Sequence, residues 1–186
     1  KEPKDWDITT NATPDIIQKL FPRSFYENDY GTVGIVIRET GDRNKDIVEV
    51  TPYRLETKYS DKRHPDEVIF SNKLEDDLKR RDFTINSIAY SPSKGQVVDP
   101  FDGQKDISER VVRAVGNPKD RLSEDALRIL RAVRLSITLG FRIDTRLLDV
   151  IRETAHTLNK ISIERINDEF VKIVMSKTPM QGIQAL

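Results

Sequence analysis

Cysteine is absent from the 186 residues, which excludes disulfides and thiolate metal sites and leaves the redox compartment open. Histidine occurs only at His64 and His156, too few for a histidine-based metal site. An excess of one charge is also lacking. The 31 Lys and Arg balance 31 Asp and Glu, so no bulk field announces a polyanionic partner and any basic surface is local. No apolar run approaches the ~20 residues of a membrane-spanning helix, and nothing resembles a signal peptide. A soluble, cytoplasmic protein with no membrane partner is therefore expected. The chain opens on Lys1-Glu2-Pro3 without Met, within a residue or so of a strand, as a fragment of a longer protein would.

What is present suffices for one large domain, or one and a half, with a sizeable core. Trp6–Thr10 reads as a short strand, and alternation puts Asp5 and Asp7 on one side of it. Thr13-Pro14-Asp15 is a helix start, and that helix ends near Pro22. The β-branched runs Val33–Ile37 and Ile47–Thr51, joined by turn residues 39–46, predict a hairpin closed by Pro52 and Tyr53. Residues 54–80 are highly charged and hardly periodic: a long mobile loop, or a loop with one short helix near Leu74–Arg80. Order returns at Arg80–Tyr90, where Asp82 and Asn86 share a helical face. Val97–Pro100 and Val111–Val115 read as short strands flanking a turn at Phe101-Asp102-Gly103.

From Asn117 onward the pattern is helical. Arg121–Arg134 reads as one helix, with Leu122, Ala126, Ile129, Leu130, Val133 and Ile137 in a single apolar stripe. Asp125, Arg128, Arg131 and Arg134 fall three apart and wind across its polar side. A basic solvated face is the plain alternative. Yet every cation here is Arg, the planar fork suited to phosphate and base edges. Ser123 is placed to cap this helix, Gly140 to end it, Asp144 to cap a second to about Leu158, and Ser162 to start a third. The apolar stripe of the third is Ile166, Phe170, Ile173 and Val174. The architecture predicted is α+β, a small mixed sheet followed by a helical module.

Three constellations carry chemistry. Asp5 and Asp7 could share divalent cations such as Mg²⁺, and Glu49 on a nearby strand could be a third ligand or an ordinary solvent-facing residue. Arg80, Arg81, Asp82 and Asn86 offer phosphate donors, a sugar-hydroxyl acceptor and an amide, or a charged helix start. Asp125 with Arg128 offers an acceptor beside a donor. Cytosine and adenine both present an amino donor beside a ring-nitrogen acceptor, whereas guanine and uracil present the opposite polarity. The pair could thus take C and A and refuse G and U.

In this order the motifs KDWDITTNATP, VEVTPYR, RRDFTINSIAY, DPFDGQKDI, RLSEDALRILRAVR and ISIERINDEF resemble the class II tRNA nucleotidyltransferases, the CCA-adding enzymes with their A-adding and poly(A) polymerase relatives. The resemblance implies a polymerase β-like nucleotidyltransferase head over residues 1–115, truncated at its N-terminus, and an all-helical neck over 116–186. It implies Asp5 and Asp7 as catalytic, Mg²⁺-binding carboxylates. Arg81, Asp82 and Asn86 would serve phosphate and ribose, Asp125 and Arg128 the incoming base, and Arg131 and Arg134 its phosphates. DPFDGQKDI would support movement between head and neck. The implied activity is template-independent addition of C and A to tRNA 3′ ends from CTP and ATP, with release of pyrophosphate. The family's Gly-Gly-x-x-Arg-Asp segment before the strand, and its helical body and tail, are not in this sequence. Within the family a CC-adding enzyme lacks the flexible loop that residues 54–80 resemble, so CCA-adding or A-adding is favoured, with mobility expected around Tyr59–Asp66. Poly(A) polymerase and an inactive RNA-binding remnant are the alternatives.

Overall fold

The computed structural model describes residues 6–26, 31–39, 45–56 and 68–186. These form two compact units, one running to Asp77 and the other from Leu78 to Leu186.

The first unit is built on a four-stranded mixed sheet. Its elements are β1 (Ile8–Thr10), α1 (Pro14–Leu20), β2 (Ser24–Tyr26), β3 (Val33–Glu39) and β4 (Lys45–Pro52), with spatial order β1-β4-β3-β2. β3 and β4 pair antiparallel, Val33 opposite Val50, as their β-branched runs predict, and β1 lies parallel to β4. Alternation turns Val50 inward with Val33, Ile35 and Ile17, and this cluster is the core of the sheet. α1 starts where expected, with Pro14 in its first turn, but the Thr13 side chain makes no capping bond. Its backbone carbonyl accepts from Ile16 and Ile17 instead. β2 is an edge strand of three residues, too short for alternation to betray it.

The described parts of the segment expected as a loop from 54 to 80 are more regular than their composition suggests. β5 (Arg54–Glu56) pairs antiparallel with β6 (Val68–Phe70), and α2 (Leu74–Lys79) follows, where a short helix was expected. Ser71 joins the two: its backbone N–H donates to the Tyr53 carbonyl and its hydroxyl to Asp76. Tyr59–Asp66, for which mobility is predicted, lie outside the described residues.

The second unit contains a 3-10 turn at Thr84–Asn86, β7 (Ala89–Ser91), β8 (Gln96–Val98), α3 (Gly103–Glu109), β9 (Val111–Val112), α4 (Pro118–Glu124) and α5 (Leu127–Leu139). β10 (Arg142–Ile143), α6 (Thr145–Thr154), a 3-10 stretch at Ala155–Lys160, α7 (Ile163–Val174) and α8 (Pro179–Ala185) complete it. Phe83, Val112 and Ala114 share one core with Leu122, Ile129, Ala132, Leu147 and Ile151. Residues 78–115 therefore pack with the helices that follow them, across the boundary expected at 115. Gly140 ends α5 in the left-handed conformation (φ 68°) and the Asp144 side chain caps α6, both as predicted.

Four local expectations change here. The turn at Phe101–Gly103 opens a helix, because the Asp99 carboxylate accepts from the backbone N–H of Gly103 (2.7 Å) and Gln104 (2.8 Å). Burial opposes the Asp99 charge, but these bonds outweigh it and hold the carboxyl below the usual range. On α7, Ile173 is buried, but Phe170 and Val174 remain exposed, so the predicted stripe is only partly covered. Finally, the helix predicted over Arg121–Arg134 is two helices, broken at Asp125-Ala126. Asp125 is extended (φ −147°, ψ 106°), and its Oδ1 accepts from Leu127 N–H at 3.0 Å. A short carboxylate that can bond its own backbone competes with helix continuation. Ser123 caps nothing, since its hydroxyl donates to the Asp120 carbonyl within α4, whose cap is Asn117. Among the described residues, no helix is long and apolar enough to cross a membrane.

Candidate nucleotide-binding site

In the first unit, β1 runs beside β4 with Ile8 opposite Val50. Continuing that register one residue back sets Asp7 next to Glu49, on the side of the sheet opposite Val50. Asp7 and Glu49 are exposed. Asp5 lies outside the described residues. No group of three or more His, Cys, Asp or Glu among the described residues is clustered closely enough to hold a metal ion.

In the second unit, a sheet-like contact fixes the Arg81–Asn86 motif. Thr84 N–H donates to the Arg113 carbonyl, Val115 N–H donates to the Asp82 carbonyl, and Phe83 bridges Ala114. Phe83, only 1% exposed, anchors the motif in the core. The Asp82 carboxylate then collects four donors. Oδ1 accepts from Phe83 N–H at 2.8 Å and the Asn86 amide at 3.0 Å. Oδ2 accepts from Arg131 Nε at 2.8 Å and Nη2 at 2.6 Å. Asp82 and Asn86 do meet, through a single 3-10 turn rather than an α-helical face. Burial pushes the Asp82 carboxyl up, but Arg131, Asn86 and the Phe83 N–H together hold it below its ordinary value. Burial likewise opposes the Arg131 charge, and Asp82, Glu169 and Asp125 hold its pKa above the usual one. Arg81 donates through Nη1 to the Asn86 carbonyl at 3.1 Å.

The three arginines of α5 each meet a carboxylate from a different element. Arg128 Nη1 reaches Glu124 Oε2 on α4 at 2.6 Å, Arg131 holds Asp82, and Arg134 Nε meets Glu169 Oε2 on α7 at 2.5 Å. Arg131 and Arg134, expected to reach phosphates, are thus engaged with protein carboxylates. Asp125 and Arg128 form no mutual ion pair; Asp125 Oδ2 accepts from Arg165 Nη2 on α7 at 2.7 Å.

Glu124, Arg165 and Glu169 are the members of this network that pattern reading missed. Glu124 lies four residues before Arg128, the spacing of a helical ion pair, and could have been suspected. Arg165 and Glu169 fall within ERINDEF, but nothing local announces their partners. Chemically, the cluster sets an acceptor (Asp125) and a donor (Arg128) beside a buried, ionised Asp82 and its arginine.

A family model described as Poly A polymerase head domain matches residues 1–113, and one described as probable RNA and SrmB-binding site of polymerase A matches residues 140–186. The chain is 43% identical over 181 residues to the CCA-adding enzyme of Ligilactobacillus salivarius, covering 97% of this chain and 43% of that protein. It is 42% identical over 180 residues to the CCA-adding enzyme of Enterococcus faecalis, covering 96% of this chain and 43% of that one. The solved structure of Bacillus stearothermophilus CCA-adding enzyme in complex with CTP superposes with a TM-score of 0.87 at 34% identity, over 100% of this chain and 43% of that chain. This chain thus spans somewhat under half the length of these relatives. With the head model covering most of its length and the mixed sheet and helices in matching order, the chain belongs to the Poly A polymerase head domain family.

Proposed function

We propose that this chain carries the catalytic and nucleotide-selecting residues of a template-independent tRNA nucleotidyltransferase, CCA-adding or A-adding, with a head over residues 1–115 and a neck over 116–186. One observation carries the reading. Asp125 and Arg128 lie three residues apart in the chain yet are held by separate partners, Arg165 and Glu124, rather than by each other. The acceptor and the donor are thereby available to a base edge of the C and A type. The likeness to proteins named CCA-adding enzymes, one of them solved with CTP, supports CTP as a substrate, and ATP carries the other base edge that suits this acceptor and donor.

In this reading the 3′ hydroxyl of the tRNA attacks the nucleotide α-phosphate, the bond to the β-phosphate breaks, and pyrophosphate leaves. Arg81, Asp82 and Asn86 receive the ribose and phosphates, with Arg131 and Arg134 contributing charge behind them. Asp5 and Asp7 are the catalytic carboxylates. The Asp7 carboxylate, exposed at the start of β1 with Glu49 next to it in register, offers oxygen donors suited to Mg²⁺, a hard cation that prefers oxygen ligands. Bound there, Mg²⁺ would neutralise phosphate charge and favour ionisation of the attacking hydroxyl.

The test is incorporation by the full-length protein. It is offered tRNA ending before CCA, after C or after CC, with each labelled nucleotide in turn. Addition of C and A in order, with U and G refused, is expected of a CCA-adding enzyme; terminal A on CC ends alone defines an A-adding one. Repeated A addition to any RNA end would identify a poly(A) polymerase, and no incorporation an RNA-binding remnant. Asp5→Asn with Asp7→Asn should abolish incorporation while leaving the fold and nucleotide binding largely intact; near-parental extension would refute the catalytic assignment.

A further inference from the structure

We propose that the Phe25 ring is a stacking platform for the 3′-terminal base of the RNA that accepts the nucleotide. The inference rests on reading Asp7 as a metal-binding carboxylate of nucleotidyl transfer. Strand register places the ring on the same face of the sheet. Asp7 lies beside Glu49, Glu49 pairs with Gly34 and Gly34 with Phe25, so the four form one row across β1, β4, β3 and β2. Tyr26, next in β2, turns to the other face, where its hydroxyl donates to the Asp15 carboxylate on α1 at 3.4 Å.

The ring lies flat on the sheet. A Cβ added at Gly34 would stand 2.7 Å from Phe25 Cζ and 3.1 Å from both Cε1 and Cε2. Were the ring edge-on, the two Cε atoms would lie much farther from that point than Cζ; near-equal distances mean that a ring face covers the glycine. Glycine permits this approach, since a side chain at position 34 would lift the ring. One face is thus spent on the backbone and the other points outward, with Phe25 40% exposed. From Gly34, Glu49 is one strand spacing away and Asp7 two, roughly 5 and 10 Å. That span suits a nucleoside whose base rests on the ring and whose 3′ hydroxyl points toward the carboxylates.

A stacking contact suits this task. The accepting end changes its terminal base as nucleotides are added, and hydrogen bonds matched to one base would refuse the next. Every base has a π-face, so an aromatic ring takes them alike. Phenylalanine in particular has no polar handle with which to prefer one base over another. Asp125 and Arg128 are assigned to the base of the incoming nucleotide, which leaves the base of the accepting end to be held by other groups. Val36 and Ile47, paired two residues along from Gly34 and Glu49, lie on the same face as the ring, and Ile47 is 42% exposed. They extend the apolar part of the face beside the carboxylates.

The experiment measures incorporation by the full-length protein on tRNA ending after C with CTP, and on tRNA ending after CC with ATP. For Phe25→Leu we expect KM for the tRNA to rise about tenfold, the scale of one lost base–aromatic stack, with KM for the nucleotide near the parental value. Phe25→Trp, which keeps a stacking face, should recover most of that loss. Gly34→Ala keeps the phenylalanine but lifts its ring, and should raise KM for the tRNA as well; it decides where Phe25→Leu does not fold. A ring that only fills space over Gly34 would change the melting temperature and leave both KM values in place, which overturns the proposal. A rise in KM for the nucleotide as large as that for the tRNA, or larger, overturns it too. If the unsubstituted protein incorporates no nucleotide, the functional reading fails rather than the platform. The platform is then judged by binding of an RNA ending in 2-aminopurine, whose fluorescence is quenched on stacking. Quenching by the parent that Phe25→Leu loses supports it; equal quenching by both, or none by either, overturns it.

Discussion

Arg165 and Asp125 stand 40 residues apart in sequence, and Arg165 Nη2 donates to Asp125 Oδ2 at 2.7 Å. This contact joins α7 to the two-residue break between α4 and α5, so the position of the break depends on a helix that the chain reaches much later. Arg165→Met should cost about 1.5–3 kcal/mol, the scale of a lost hydrogen bond to a charged group. Urea unfolding would show this as a lower midpoint at unchanged slope. A midpoint within error of the parent would mean that the contact contributes nothing to stability.

The buried Asp82–Arg131 pair makes stability depend on pH. Asp82 has a carboxyl held below its ordinary value in the fold, so its stabilisation is fully present above the unfolded value of about 3.9. As pH falls below that, the unfolded chain takes up the proton first, and the contribution is lost until the folded carboxyl is protonated too. Melting temperature measured from pH 7 down to about pH 3 should therefore fall more steeply for the parent than for Asp82→Asn. Parallel curves would exclude the linkage.

Gly103 and Gly140 should respond differently to alanine. A Cβ on Gly103 would lie 2.2 Å from the Thr84 carbonyl oxygen, and backbone cannot step aside as a side chain can. At Gly140 nothing lies within 4 Å of the added carbon, and only the left-handed φ of 68° resists. Gly140→Ala should cost about 1–2 kcal/mol. Gly103→Ala should cost more, on the order of 3 kcal/mol, the upper end for overpacking. Because Thr84 begins the 3-10 turn that carries Asn86, Gly103→Ala should also weaken nucleotide binding, read by titration with CTP.

Phe83→Ala tests how far the site depends on the core. The ring is 1% exposed and packs in the main cluster of the second unit, so truncation should cost about 3–5 kcal/mol. Hydrogen exchange should then show the amides of Thr84 and Val115, which hold the Arg81–Asn86 motif in place, losing protection ahead of those in α6.

Much of this was open to reading from residues alone, where the determining forces are local. The β-branched runs of β3 and β4 form their hairpin, Pro14 sits in the first turn of α1, and Asp144 and Gly140 bound their helices as their backbone chemistry requires. The mixed sheet and the helical module were likewise legible, through period-two and period-3.6 patterning. β2, β7 and β10 were not, because strands of two or three residues hold no periodicity to recognise.

For the site, the residues alone set which chemical groups are available: a carboxylate and three arginines spaced by three, a Phe beside an Asp, and acids at the start of a strand. Which of them face one another follows from how separate elements pack. The apolar stripe that predicts one helix over Arg121–Arg134 says nothing of the backbone bond by which Asp125 interrupts it. Nor can spacing reveal that Arg131 meets Asp82, Arg134 meets Glu169 and Asp125 meets Arg165. Helical periodicity is set over a few residues by backbone geometry, whereas a charge takes whichever opposite charge the packing of separate elements brings within about 3 Å.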